Sequence, residues 1–330
     1  MKTRYLLTIA FALLLSTLSV NAQNYTVSKT ETFEPQKKIV LLLKDSASSK
    51  EIILFQTELR VNTDGSPLSY HPQDLRGEDK ALNKICNAIA VQKAPSTCNL
   101  CLTKKKNGRV VCKSRVNEAI GVFEKFRDSG YKIVPQGYSL KWENVLATTQ
   151  DGKPCIFQSG QFEGYFGSLT ALKNGLTTDK GECEINNQIN PITVPALVLV
   201  GGTNVVKDFG AKVGDLLIAY NPKTQLFSSA IIGDTGPADN LGEGSIFLNM
   251  KLQGTTTPPS NRTETYKLSI EDPVLIAIIP ASRIFASKPY TANSINQGVE
   301  KWLKESGFET PEKFIEFMKV FQTKLSKPSR

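Results

Sequence analysis

The sequence predicts an α+β fold dominated by β structure, with a barrel or sandwich at its centre, flanking helices and a C-terminal helical pair. Three observations predict it. Short β-prone runs recur from residue 131 onward, punctuated by Gly, Pro, Asn and Asp. Apolar residues return at helical spacing in 78–91 and 115–128. Residues 291–330 carry two amphipathic segments with helix stop and start signals between them. The chain has 330 residues, 40% of them hydrophobic and 22% charged. That length and balance suffice for a sizeable core and exclude a largely disordered chain.

The elements follow in order. Lys2 and Arg4 precede an apolar run from Leu6 to Leu18, and Val20-Asn21-Ala22 offers small residues for cleavage. Residues 1–22 therefore read as a secretory signal peptide, too short to be a membrane span. The expected location is secreted or periplasmic, with no transmembrane span and no nucleic-acid partner. Runs 38–43 and 52–60 read as strands, and Asn62 to Pro67 as a turn. Helices are expected over 78–91, through Ala81, Leu82, Ile85 and Ile89, and over 115–128, through Val116, Ala119, Ile120, Phe123 and Phe126. Strands are expected at 131–134, 164–169, 195–200, 215–220, 226–232, 245–252, 265–270 and 274–280. The helix from Ser294 to Ser306 stops at Gly307, and Thr310-Pro311-Glu312 opens a second with Phe314, Phe317, Met318, Phe321 and Leu325 on one stripe. The domain plan is thus a β-barrel domain over 23–290, with a Cys- and Lys-rich helical insert at about 78–128, and a helical extension over 291–330.

Six cysteines (Cys86, Cys98, Cys101, Cys112, Cys155, Cys183) in an exported chain imply disulfides. The expected pairing is Cys155 with Cys183 and two bridges within the first four, out of 15 combinations. Cys98-Asn99-Leu100-Cys101 has no second CxxC and His71 is the chain's one histidine, so a zinc site would need four cysteines, and disulfides are the better reading. No metal or cofactor is expected. The net charge is +9, or +7 once Lys2 and Arg4 are removed, and residues 93–115 alone hold seven cations and no acid. Such a stretch suits an anionic surface, although a solvated loop is the commoner explanation.

The segment richest in chemistry runs from Ala230 to Ser245. A strand delivers Asp234 into a Gly/Pro/Asn loop, and Glu243 begins the next element. Two carboxylates across one loop suit glycoside hydrolysis, in which one protonates the leaving oxygen and the other activates water or attacks the sugar. Acids also occupy turns for capping alone. Asp234-Thr235-Gly236 resembles the aspartic-protease triplet, but no second Asp-Thr-Gly exists. A Ser/His/Asp or Cys/His centre would have to use His71, which reads as a turn residue before Pro72. Gly201-Gly202-Thr203-Asn204 lacks a P-loop lysine.

Gly233-Asp234 with Gly242-Glu243-Gly244-Ser245 resembles the carboxylate segment of the fungal-type chitosanases, glycoside hydrolase family 75, and of their exported bacterial relatives. Thr63-Asp64-Gly65-Ser66-Pro67 with Tyr70-His71-Pro72 resembles that family's upstream Asp-Gly motif. Gly164-Tyr165-Phe166, residues 194–199 and Gly214-Asp215-Leu216-Leu217-Ile218 resemble further segments in the same order. The likeness spans roughly residues 60–280. It implies a six-stranded double-psi-type β-barrel and an endo-acting, inverting hydrolase of β-1,4 linkages in chitosan or a related amino-sugar polymer. Glu243 would be the general acid and Asp234 the general base. Asp64, Asp215 and Thr235 would contact the substrate, with Tyr70 and Tyr165, and more distantly Trp142, as aromatic platforms. The family carries several acids at the upstream motif, where this chain keeps Asp64. The alternative is therefore a non-catalytic glycan-binding or cell-envelope protein on the same barrel.

Overall fold

The computed structural model describes residues 24–106, 108–175 and 183–326. The signal-peptide reading of residues 1–22 lies outside the described residues. The strands are β1 (Tyr25–Phe33), β2 (Lys38–Asp45), β3 (Glu51–Asn62), β4 (Ile89–Lys93), β5 (Lys104–Lys106), β6 (Arg109–Cys112), β7 (Tyr138–Trp142), β8 (Ala196–Leu199), β9 (Leu216–Asn221), β10 (Leu226–Thr235), β11 (Glu243–Ser245) and β12 (Ile270–Ile278). The helices are α1 (Val116–Asp128), α2 (Val205–Asp208), α3 (Ile246–Gln253), α4 (Arg262–Lys267), α5 (Ala292–Glu305) and α6 (Pro311–Leu325).

The fold is α+β and strand-rich. Strands β3, β11, β8, β10, β9 and β12 close into a six-stranded barrel, because β3 also pairs with β12. The β1–β2 hairpin extends it along the first half of β3. Both faces of this sheet are covered, so its strands read as continuous apolar runs rather than alternating ones. Along β12, Leu275 and Ala277 join one apolar cluster while Val274, Ile276 and Ile278 join the other. The C-terminal helices cover the first cluster with Trp302, Phe308, Phe314, Phe317 and Phe321, whose rings meet at centroid distances of 4.9–6.4 Å. Helix α3 supplies Leu248 and Leu252 to the second cluster.

A separate core forms a lobe beside the barrel. It draws on residues from Tyr70 to Phe166, including Ile85, Ile89 and Val91 before the basic stretch and Phe123 of α1 after it. Disulfides Cys86–Cys101 and Cys98–Cys112 staple this lobe, and Cys155–Cys183 ties its far side. All six cysteines are paired, in the arrangement expected, which is consistent with an oxidising compartment. No helix among the described residues is long and apolar enough to cross a membrane.

Five expected elements fold otherwise. Residues 78–91 contain a short 3-10 turn (Ile85–Asn87) and strand β4 instead of a helix. Asp74 accepts the backbone N–H groups of Glu78, Asp79, Lys80 and Ala81 at 2.7–3.1 Å, which diverts them from a helical ladder. Residues 245–252 form α3 rather than a strand. Ser245 caps it by accepting Leu248 N–H at 3.1 Å, and Gly254 ends it at φ 72°. Its apolar residues fall on more than one side, with Lys251 exposed between Met250 and Leu252, so no helical period marks it. Residues 265–270 split between α4, capped by Asn261, and the start of β12. Runs 131–134 and 164–169 form no strand; the second contributes isolated bridges at Phe166 and Ser168.

Candidate active site

The barrel and the lobe enclose a cleft of about 700 Å³. The barrel wall is built by four neighbouring strands. Asp234 of β10 pairs in register with Val198 of β8, and Gly244 of β11 pairs antiparallel with Leu197. Continuing that register by one residue sets Glu243 opposite Val198, and Glu243 pairs with Arg60 of β3. Asp234, Val198, Glu243 and Arg60 thus form one row across the sheet, and all four line the cleft. Asp234 and Glu243 are two strand spacings apart, roughly 9–10 Å between Cα atoms.

Local sequence aims both carboxylates. The β10–β8 register slips between Ile232 and Asp234, so Gly233 is an inserted bulge residue that re-aims Asp234. Asp234 Oδ1 accepts the N–H groups of Thr235 at 2.8 Å and Ala171 at 2.9 Å. Glu243 Oε1 accepts the Asn240 amide at 2.7 Å. A Cβ at Gly236 would sit 2.7 Å from Val198 Cγ1 and 3.3 Å from Glu243 Oε2, so a bare backbone lets the loop after β10 pass close to Glu243.

Asp64 joins them from the turn after β3. Gly65 follows at φ 91°, where a side chain would overlap Ile189 O and Thr170 Cγ2. Asp64 accepts the Tyr70 hydroxyl at 2.6 Å, and Asn83 donates to Tyr70 Oη at 3.3 Å and to Thr63 Oγ1 at 2.9 Å.

These three carboxyl groups share a shift in one direction. Burial raises Asp64 to about 7, with the charges of Asp234 and Glu243 adding and the Tyr70 hydrogen bond opposing. Burial raises Asp234 to about 6, against its two backbone hydrogen bonds. Burial also raises Glu243, against the Asn240 hydrogen bond and the Arg60 charge. Glu143, on the lobe side, is the fourth acid of the cleft wall, and Arg60 is its single cation among the described residues. An acid-rich cleft therefore sits in a basic protein. No group of three His, Cys, Asp or Glu among the described residues is placed to hold a metal ion.

Of the residues expected to act, Asp234, Glu243, Asp64 and Thr235 line this cleft. Tyr70 is no stacking platform, because its ring is fully buried; its contribution is the hydroxyl on Asp64. Asp215 is a correction as well. It is buried away from the cleft, accepts Lys212 N–H at 2.9 Å and pairs with Arg283 at 3.1 Å. Tyr165 packs edge-on against His71, with centroids 4.7 Å apart, outside the cleft lining. Trp142 packs against Phe123 and Phe166 and donates to Gly152 O. The cleft's exposed ring is Tyr266 of α4, with the Arg262 guanidinium 4.7 Å from its centroid. Tyr266, Arg60 and Glu143 were not singled out from the sequence, where each stands alone without a motif.

No family model matches the chain, and no curated protein matches it.

Proposed function

We propose that this chain is an exported glycoside hydrolase of the chitosanase type, cleaving β-1,4 linkages within chitosan or a related amino-sugar polymer with inversion. The observation that carries the reading is the Asp234–Glu243 pair, presented from the strands on either side of β8 into one open, acid-rich cleft. Inverting hydrolases hold their carboxyl groups about 6.5–9.5 Å apart, which leaves space for a water beside the sugar. The Cα atoms of Asp234 and Glu243 stand two strand spacings apart, which is the backbone frame from which both side chains reach the cleft.

Glu243, raised by burial, gives its proton to the glycosidic oxygen as the C–O bond breaks. Asp234 takes a proton from water as the water oxygen bonds to the anomeric carbon from the opposite face. Its Oδ1 is fixed by two backbone N–H groups, which orients the carboxylate. The four acids against one guanidinium suit a cationic polymer despite the protein's net positive charge. The parallel pairs β10–β8 and β11–β3 support a double-psi-type connection of the barrel.

The test is reducing-end release from soluble chitosan, partly acetylated chitosan and peptidoglycan by the unaltered chain, Asp234→Asn and Glu243→Gln. Cleavage that falls by about 10²–10⁴-fold in each folded variant is expected. Full activity in either variant sinks its assigned role. Saturable glycan binding by the unaltered chain without new reducing ends would replace the enzyme with a glycan-binding protein.

A further inference from the structure

The basic stretch of the lobe takes a definite shape. Strands β5 and β6 form a two-stranded hairpin in the register Lys104–Cys112, Lys105–Val110 and Lys106–Arg109. Every residue of its strands is exposed except Cys112, which the disulfide to Cys98 anchors at the base. Two strands alone are marginal in water, so this bridge and the Thr103–Ser114 hydroxyl contact at 3.0 Å hold the shape.

Charge and apolar surface coincide on it. Of the seven cations in 93–115, Lys93 and Arg115 pair with Glu118 at 3.2 and 3.0 Å. Lys104, Lys105, Lys106, Arg109 and Lys113 have no carboxylate within ion-pair distance among the described residues. Leu102, Val110 and Val111 are 52%, 53% and 52% exposed, and they are three of the eight exposed large apolar side chains among the described residues. Leu102 also lines the cleft, so the hairpin springs from the cleft mouth.

We propose that this disulfide-stapled hairpin is a docking arm for a lipid surface carrying anionic phosphate headgroups. Unpaired cations alone would suit any polyanion. Exposed aliphatic side chains set among them suit a headgroup–acyl boundary, where apolar groups are buried while cations stay at the phosphates. The proposal does not depend on the glycosidase reading. It adds that the cleft mouth is held against the surface the arm binds.

Cosedimentation tests it, using the chain from Gln23 with vesicles of phosphatidylglycerol and phosphatidylcholine, vesicles of phosphatidylcholine alone, and dextran sulfate on beads. Starting at Gln23 removes the apolar run Leu6–Leu18, which could bind a vesicle by itself. Binding to the anionic vesicles is expected. One cation near such a surface strengthens binding about fivefold. Lys104→Gln/Lys105→Gln/Lys106→Gln/Arg109→Gln should therefore lower affinity by nearly three orders of magnitude, about 600-fold. Val110→Ser/Val111→Ser keeps every charge and should weaken vesicle binding while leaving dextran sulfate binding unchanged. Equal vesicle binding by the unaltered chain and the four-site variant overturns the proposal. So does vesicle binding indifferent to the valines, which would make the partner a soluble polyanion.

Discussion

Tyr70 donates its hydroxyl hydrogen to Asp64 at 2.6 Å from a ring that solvent does not reach. The phenol is an internal strut, which fixes the rotamer of a cleft carboxyl and favours its ionised form. Burial and the charges of Asp234 and Glu243 act the other way and leave Asp64 at about 7. Tyr70→Phe keeps the packed ring and removes the donor, so the Asp64 pKa should rise above about 7. A ¹³C titration of the aspartate carboxyl groups reads this directly, and an unmoved or lowered Asp64 would contradict the account.

Stability should depend on pH through the same cluster. Asp64 and Asp234 have folded values of about 7 and about 6, above the unfolded value of 3.8. Between pH 4 and 7 the folded chain therefore binds more protons at these sites, and their contribution falls as pH rises. For Asp234 alone the loss is of the order of 3 kcal/mol. Asp74 runs the opposite way, because four backbone N–H bonds outweigh its burial and lower its pKa. The comparison must therefore be made between proteins. Asp64→Asn/Asp234→Asn should gain thermal stability over the unaltered chain as pH rises from 4 to 7. A difference in melting temperature that stays constant or shrinks over that range would refute the shifts.

What could be read from the sequence follows from how each element is held. Runs such as 215–220 and 274–280 are β-branched and aliphatic because β9 and β12 are buried on both faces, and such runs announce themselves. The C-terminal helices announce themselves through Thr310, Pro311 and Gly307. Helix α3 does not, since a short, mostly buried helix without a single apolar stripe reads like the run of a core strand. The site divides in the same way. Asp234 and Glu243 bracket one loop and can be paired by eye. Burial of Tyr70 and Asp215 is set by residues distant in sequence and leaves no local trace. Glu143 reaches the cleft of Arg60 and Tyr266 only through the docking of lobe on barrel.

The lobe's dependence on its bridges gives a third expectation. Cys98–Cys112 closes a loop of 14 residues and anchors a hairpin that has no apolar core of its own. A closed loop of this size is worth about 3 kcal/mol through the unfolded state. Cys98→Ser/Cys112→Ser should make residues 98–112 the first site of proteolytic nicking. The barrel, whose two apolar clusters contain no cysteine, should keep its melting transition. Simultaneous loss of both would show that lobe and barrel unfold as one unit.

Tyr266 offers the last test, one that rests on the proposed activity. It projects from α4 into the cleft with nearly half its surface open, and Arg262 stacks on it at 4.7 Å. Sugar rings present flat C–H faces, and an aromatic face in a cleft packs against them for about 1 kcal/mol, or about fivefold in affinity. The ring lies on the cleft wall with no assigned part in proton transfer, so its loss should act on binding rather than on bond cleavage. Tyr266→Ala should raise KM for a chitosan oligomer about fivefold with kcat little changed, and Tyr266→Phe should restore KM because the face survives. A drop in kcat at constant KM would place Tyr266 in transition-state stabilisation. A KM left high in Tyr266→Phe would shift the contact from the ring face to the hydroxyl.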